Sequence, residues 1–298
     1  MKRINFHRQL PLHLMLLPAI VITLIYCYGP MFGMVMAFQN FDPAAGFLRS
    51  SWVGLANFKY LFALTDLRQV IWNTVCIAVM KILLEIGISV LLALLLNEVK
   101  NRFFKRIVQT ISYFPYFLSW IILGAILREI LSYDGFINKA LGYLGMHPLM
   151  FLGDNHIFQL VLVFSYLWQE VGFGMIVYLA AITWVNPHLY EAAVMDGAGK
   201  WAQIFHITLP GICSMIVMMA TLSLANVLDA GFNQIYALYS PVVYKSGDII
   251  DTWVYRMGIL NTQYSLATAV DLFKSAVSCI LISSAYFLSK KFSDYRIF

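Results

Sequence analysis

Charge is what this chain has least of. Asp, Glu, Lys and Arg make up 12% of its 298 residues, against 61% hydrophobic residues. An ordinary soluble domain carries about 25% charged residues, and that polar skin keeps a protein of this size in solution. With a mean hydropathy of +0.75, the composition excludes a soluble enzyme. It equally excludes a disordered chain, which needs low hydrophobicity and high charge. Cysteine is scarce as well. Cys27, Cys76, Cys213 and Cys279 all lie inside apolar runs with no C-x-x-C spacing, where a thiol acts as a small hydrophobe. No disulfide and no metal site are expected. The net charge of +5 is not gathered into basic clusters on a polar surface, so nucleic acid is not an expected partner.

Catalytic signatures are missing too. Neither H-E-x-x-H nor G-x-S-x-G occurs, so no hydrolase is indicated. Gly197-Ala198-Gly199-Lys200-Trp201-Ala202 approximates a dinucleotide-binding turn, but no strand precedes it. Gly199-Lys200 fails as a P-loop, because Val194 and Trp201 occupy positions that need Gly and Ser or Thr. The chain is not expected to be an enzyme or to hold a nucleotide or any other cofactor itself. There is no ten-residue alternation of a membrane barrel. Nor is there an internal repeat of the kind that marks many secondary transporters.

What the sequence does contain is long apolar runs. A spanning helix needs about 20 mostly apolar residues, and windows near 12–37, 70–96, 107–131, 157–183, 213–238 and 267–288 qualify. The spacing therefore predicts an all-α polytopic membrane protein, one transmembrane domain over residues 1–298 with six helices. Every span must be helical, since lipid offers no partner to a free backbone N–H or C=O. The run from Leu12 to Phe38 is too long for a signal peptide and reads as a retained first span. Lys2, Arg3 and Arg8, then Lys100, Arg102, Lys105 and Arg106, then Lys200, then Lys290, Lys291 and Arg296 crowd one set of short flanks. Arg49, Lys59, Arg68, Arg128, Lys139, Lys245 and Arg256 are spread thinly over the opposite, longer loops. The positive-inside bias puts both termini in the cytoplasm. The outer segments 39–69, 132–156 and 239–266 are long and rich in Gly, Pro, Asp and aromatics, as functional loops often are.

The inner segment 184–212 is more patterned than a linker. Asn186-Pro187 starts a helix, with Pro where its missing N–H costs nothing. Glu191, Ala192 and Ala193 continue it, and Gly197 and Gly199 break it. A second short amphipathic helix through Trp201, Ile204, Phe205 and Thr208 is expected to end at Pro210.

Glu191-Ala192-Ala193, Gly197, Ile207, Leu209 and Pro210 reproduce a fixed pattern, E-A-A, three residues, G, nine residues, I-x-L-P. It resembles the EAA loop of permease subunits of binding-protein-dependent ABC importers. Residues 52–61, Tyr113-Phe114-Pro115-Tyr116, Gly135, Asn138 and Phe151-Leu152 look like the sugar branch of that family. Leu16-Leu17-Pro18, Tyr28 to Gly33, Leu238 to Pro241 and Asp248 to Arg256 are similar to its lipo-oligosaccharide/polysaccharide, alginate-type subgroup. The resemblance implies a type I ABC importer permease fold in the bacterial cytoplasmic membrane, translocating oligosaccharides or polysaccharide fragments. Its implied partners are a second permease subunit (usually a paralogue, giving a heterodimer), two cytoplasmic ATPase subunits that hold ATP and Mg, and an extracytoplasmic sugar-binding protein. It further implies that Glu191, Ala192, Ala193, Asp196, Gly197, Ile207, Leu209 and Pro210 couple the ATPases to the spans, with Glu191 meeting an Arg of the ATPase.

Polar groups inside spans are expensive and point to function. Tyr166, Gln169, Glu170 and Phe173 fall at i, i+3, i+4 and i+7, and Asn226, Asp229 and Asn233 at i, i+3 and i+7. Two such stripes suit a sugar, whose hydroxyls take hydrogen bonds and whose ring faces pack on aromatics. Interhelical hydrogen bonding is the plainer reading of each residue. Lys81 and Glu85, four apart, are expected to pair, as are Asp271 and Lys274. An importer of the same family with a non-sugar cargo, or an ion-coupled carrier using Glu170 and Asp229, stays open from sequence alone.

Overall fold

A computed structural model describes residues 6–225 and 227–292. In chain order the helices are α1 Phe6–Thr23, α2 Gly46–Arg49, α3 Ala56–Ala63, α4 Thr65–Glu98, α5 Arg102–Tyr113, α6 Trp120–Ile130, α7 Phe136–Tyr143 and α8 Phe158–Thr183. They continue with α9 Pro187–Met195, α10 Lys200–Gln203, α11 Leu209–Ala225, α12 Phe232–Leu238, α13 Tyr244–Gly247, α14 Ile250–Tyr255 and α15 Tyr264–Phe292. Five helical runs are long and apolar enough to cross a membrane: His13–Phe38, Thr65–Glu98, Phe158–Thr183, Lys200–Leu224 and Tyr264–Ser284. Arg102–Phe117 and Trp120–Ile130 make a sixth if that pair, bent by 105°, is counted as one span.

The chain divides into two compact units, Met1–Leu64 with Val254–Phe273, and Thr65–Trp253 with Lys274–Phe298. In the first, α1 runs on through a π-turn Leu24–Tyr28 and a 3-10 stretch Gly29–Phe38. A two-stranded antiparallel ribbon follows, β1 Gln39–Asn40 against β2 Ser51–Trp52, with Gln39 opposite Trp52. The Asn57 side chain donates to the carbonyls of Ala37 (2.8 Å) and Gln39 (3.0 Å), and Phe38 stacks on Trp52 at 5.8 Å. The Phe41 N–H donates to Ser265 Oγ (2.8 Å), and Phe62 meets Phe273 edge-on at 5.3 Å. The residues 52–61 singled out in the sequence thus fasten the turn after the first span.

The second unit is built on α4 and α8. Two glycines let the helices around α8 approach at backbone distance. A Cβ on Gly172 would lie 1.9 Å from the Ser112 carbonyl oxygen at the end of α5, and one on Gly174 would lie 2.5 Å from Glu85 Oε1 and 2.6 Å from Ser89 Oγ on α4. Small residues at helix contacts are how membrane helices gain packing without a hydrophobic driving force. Val90, Ala93, Leu96, Met175, Tyr178, Ile182 and Ile212 fill one end of this contact. Ile77, Ala78, Phe158, Leu162, Leu228, Ile235 and Ile249 fill the other.

Two expected spans are not single helices. The window 107–131 breaks at Leu118-Ser119: Pro115 opens a 3-10 turn, and Ser119 caps α6 by accepting from the Ile122 N–H at 3.4 Å. The window 213–238 breaks between α11 and α12, where Gly231 takes φ +94°. The outer segment 239–266 is no open loop either. Thr252 is fully buried, Trp253 is 1% exposed, and the Ile250 N–H donates to Thr74 Oγ1 on α4 at 3.0 Å. Apolar residues Ile249, Ile250 and Trp253 outweigh the turn formers around them.

Gly172 supplies a direct test. Gly172→Ala should lower thermal unfolding in detergent by an overpacking penalty of about 1–3 kcal/mol or more. Gly87→Ala on α4, where a Cβ meets nothing within 4 Å, should unfold at the temperature of the unaltered protein or above it. Equal midpoints for the two variants would refute the close-approach account.

Candidate functional site

The inner segment folds as a helical hairpin. Asn186 is extended, and its side-chain oxygen accepts from the His188 N–H (3.0 Å), which caps α9 behind Pro187. At the other end, the Ala198 N–H donates to the Ala193 carbonyl (2.8 Å) and the Gly197 N–H to the Val194 carbonyl (3.0 Å), with Gly197 at φ +77°. These are the two bonds of a Schellman ending, whose left-handed residue is best glycine. Gly199 then caps α10 in an extended conformation.

The second helix does not stop at Pro210. Residues Ile204–Thr208 widen into a π-turn, and the chain enters α11 without interruption. A proline has no N–H to give the carbonyl four residues back, and the wider turn accommodates it within a continuous rod. Three polar contacts brace the hairpin, the last of them against α4. Tyr190 OH pairs with Thr208 Oγ1 (3.0 Å), Gln203 Nε2 donates to the Ala198 carbonyl (2.9 Å), and Lys200 forms a salt bridge with Glu98 at the end of α4 (3.0 Å).

Of the loop residues expected to couple, Glu191, Ala192, Asp196, Gly197 and Pro210 are exposed and Ala193 is half-buried. Glu191 touches only His188 Nδ1, at 3.0 Å, and its side chain is 72% exposed. Ile207 and Leu209 instead face inward against the cluster around Val185 and Ile212. Leu189, Val194, Met195, Trp201 and Phe205 add exposed apolar surface. Beside them lies a cleft of about 740 Å³ with Glu98, Lys100, Tyr190, Glu191, Val194 and Met195 among its walls. A protruding helix pair with accessible carboxylates at Glu191 and Asp196 and an apolar rim is a shape suited to docking another protein.

The mid-span polar residues are arranged differently from the sequence expectation. Lys81, 3% exposed, does not reach for Glu85. Its ammonium donates to the Ala230 carbonyl (2.6 Å) and to Gln234 Oε1, and lies 4.9 Å over the Tyr166 ring. The break before α12 frees that carbonyl, and a buried acceptor needs a donor more than two helical neighbours need a salt bridge. Gln234, fully buried, passes the network on through Nε2 to the Leu162 carbonyl (2.6 Å) and Ser165 Oγ (2.7 Å). Gly231 is left-handed there, and a Cβ on it would lie 3.1 Å from Lys81 Nζ.

The expected stripe on α8 divides in two. Tyr166 and Glu170 belong with Lys81, in whose field Asp229 and Glu170 also lie, with Glu85 beside Glu170. Gln169 donates through Nε2 to the Leu118 carbonyl (2.9 Å), and Phe173 stacks on Tyr116 at 4.4 Å and 7°; both hold the break before α6. The second stripe does not form as a helical face. Asn226 lies outside the described residues. Asp229 sits in the break, exposed, with its carboxylate accepting from the Gly231 N–H at 3.4 Å, and Asn233 is exposed on α12. Lys274 carries its ammonium to Asp251 (2.5 Å). Gln234 was missed altogether. The available signal was a lone lysine in an apolar run, which demands a buried acceptor on another helix.

The fold is that of an integral-membrane protein with an exposed helical hairpin between its fourth and fifth spans. Residues 85–292 match the family model described as the binding-protein-dependent transport system inner membrane component, and the chain belongs to that family. It is 40% identical over 296 residues to the polygalacturonan/rhamnogalacturonan transport system permease protein YteP of Bacillus subtilis, covering 99% of this chain and 92% of that one. It superposes on a crystal structure of a bacterial ABC transporter involved in import of the acidic polysaccharide alginate, with a TM-score of 0.91, 36% identity and coverage of 97% and 98%. A second structure, the alginate transporter in complex with an alginate pentasaccharide-bound periplasmic protein, gives 0.91 at 34% identity and 98% of both chains. The chain is therefore an inner-membrane permease component and not an enzyme, and the ion-coupled carrier is set aside.

Lys81→Met should leave the Ala230 carbonyl and Gln234 Oε1 buried without a donor, destabilising by about 1–3 kcal/mol per orphaned group. The double variant Lys81→Met/Gln234→Leu removes both sides of the pair and should lose less than the sum of the two single losses. Thermal unfolding of the four proteins in detergent measures this, and strict additivity would count against the network.

Proposed function

We propose that this chain is one of the two membrane-spanning subunits of an ATP-driven importer that takes oligosaccharides or polysaccharide fragments across the cytoplasmic membrane. The observation that carries the proposal is the exposed α9–α10 hairpin. Glu191 stands free of its own unit, while Ile207 and Leu209 tie the hairpin to the cluster between α4 and α8. In this reading Glu191, Ala192, Ala193, Asp196 and Gly197 enter a cleft of a cytoplasmic ATPase, with Glu191 meeting an arginine in a charge-assisted contact. Ile207, Leu209 and Pro210 pass the resulting movement into α11. ATP and Mg belong to the two ATPase subunits. A second permease subunit, a paralogue of this one, completes the pathway, and an extracytoplasmic sugar-binding protein delivers the cargo.

The cargo assignment draws support from the relatives, named for polygalacturonan/rhamnogalacturonan and for alginate. Tyr166, Gln169, Glu170, Phe173, Asn226, Asp229 and Asn233 are the proposed substrate-pathway residues. Of the described ones, Phe173 and, at the break of the fifth span, Asp229 and Asn233 are exposed. Coupling requires that each conformational state bind its partners with different affinity, and a break held by a few hydrogen bonds gives the spans two packings to choose between.

Glu191→Lys tests the hairpin. Because the native carboxylate touches only an exposed histidine, the variant should fold and insert normally. Co-purification of the ATPase subunits and ATP-dependent uptake should fall at least about tenfold, the worth of a hydrogen bond to a charged group. Full association and uptake in the variant would overturn the assignment.

A further inference from the structure

At the end of α4 and α8 away from the hairpin, the unit Thr65–Trp253 holds a cleft of about 760 Å³. That is within the ordinary range of about 300–1,000 Å³ for small-molecule sites. Its walls come from the first turns of α4, from the segment before α8, and from α13, and they include Gln69, Trp72, Asp154, His156, Gln159 and Lys245.

The frame of this cleft is rigid because its own hydrogen bonds are spent within the protein. Asn155 accepts from the Ser246 N–H (3.1 Å) and Oγ (2.9 Å) and donates to the Val242 carbonyl (3.0 Å). Gln159 Nε2 donates to the Ser246 carbonyl (2.9 Å). Asn73, 1% exposed, donates to the carbonyls of Lys245 (3.0 Å) and Asp248 (3.2 Å) and accepts from Gln69 Nε2 (3.0 Å). Asn155, Gln159 and Asn73 are thus fixed to one stretch of backbone, with Gln69 held by Asn73, and their hydrogen bonds hold the cleft open.

What remains uncommitted at the mouth has a definite chemistry. The Trp72 side chain is 64% exposed, with a free indole face and N–H. The Lys245 ammonium and the His156 ring have no partner among the described residues. The Oε1 atoms of Gln69 and Gln159 accept nothing among the described residues, and Asp154 uses Oδ1 to hold the His156 N–H at 2.8 Å. An indole face packs on the apolar face of a pyranose, amide oxygens accept from its hydroxyls, and an unpaired ammonium calls for a carboxylate. A free inorganic anion would use the lysine but leave the indole and amides idle.

We propose that this outer cleft is an entry subsite for one uronate unit of an acidic oligosaccharide. Trp72 carries the ring, Gln69 and Gln159 take hydroxyls, and Lys245 pairs with the carboxylate. The subsite rests on the saccharide cargo proposed above and adds a selection for acidic sugar in the membrane subunit itself, ahead of the mid-span residues.

The test uses the assembled transporter in lipid nanodiscs, without the binding protein, titrated with trigalacturonate and with neutral galactotriose. Trigalacturonate should bind saturably. Lys245→Gln should weaken it about tenfold while leaving galactotriose unchanged, and Trp72→Ala should weaken both. Both side chains are exposed, so the variants should match the unaltered protein in yield and thermal unfolding. Trigalacturonate affinity unaltered in both variants would overturn the subsite. So would loss of binding-protein docking with direct saccharide binding intact, since the cleft would then be a socket for protein. A transporter that takes up no saccharide even with its binding protein would instead bring down the cargo reading.

Discussion

A backbone carbonyl in an apolar surrounding must find a donor, and the second unit is organised around two places where the helical ladder fails to provide one. Leu118 stands between the two parts of the third span, and Ala230 stands between α11 and α12. Each is met by one long polar side chain from an unbroken helix: Gln169 of α8 reaches Leu118, and Lys81 of α4 reaches Ala230. Irregular backbone at membrane depth is tolerated where protein buries it, and here the burying partners also satisfy it. The close packing set by Gly172 and Gly174 follows from the same need, because a side chain of that length bridges only helices held at short range.

The pair α4–α8 therefore works as a frame with different tasks along its length. At one end it carries the hairpin through the Lys200–Glu98 salt bridge and the cluster around Ile212. In the middle it supplies the donors for the two breaks. At the other end it forms walls of the outer cleft of about 760 Å³. The hairpin, the discontinuous spans and the outer cleft thus share one set of helix contacts. Lys81 holds the junction between α11 and α12 at the Ala230 carbonyl.

The sequence made the solvent, the helical class and the hairpin legible, because each rests on local chemistry. Apolar run length reports the bilayer; Asn186-Pro187 and Gly197 report a helix start and a left-handed stop. Its mistakes came where long-range satisfaction outweighed local spacing. Lys81 and Glu85 lie one helical turn apart and suggest a pair, yet the lysine answers an acceptor 149 positions away. Asn226, Asp229 and Asn233 fit a helical period that the chain abandons between α11 and α12. Gln234 was hidden because one buried amide carries no periodic signal. Pro115 could have announced the bend of the third span, whereas Pro210 announced an end that a widened turn removed.

That widened turn at Ile204–Thr208 has a consequence for register. A π-turn takes more residues per revolution than an α-helix, so residues before and after it are offset by roughly one position, about 100° of rotation. The outward face of α10, with Trp201, and the inward face of α11, with Ile212, owe their relative azimuth to that surplus residue. Along the continuous rod from Lys200 to Ala225, chain length is thereby a determinant of function in its own right. An insertion or deletion between hairpin and membrane would turn the exposed face of the hairpin relative to α11 even if every side chain in both were retained.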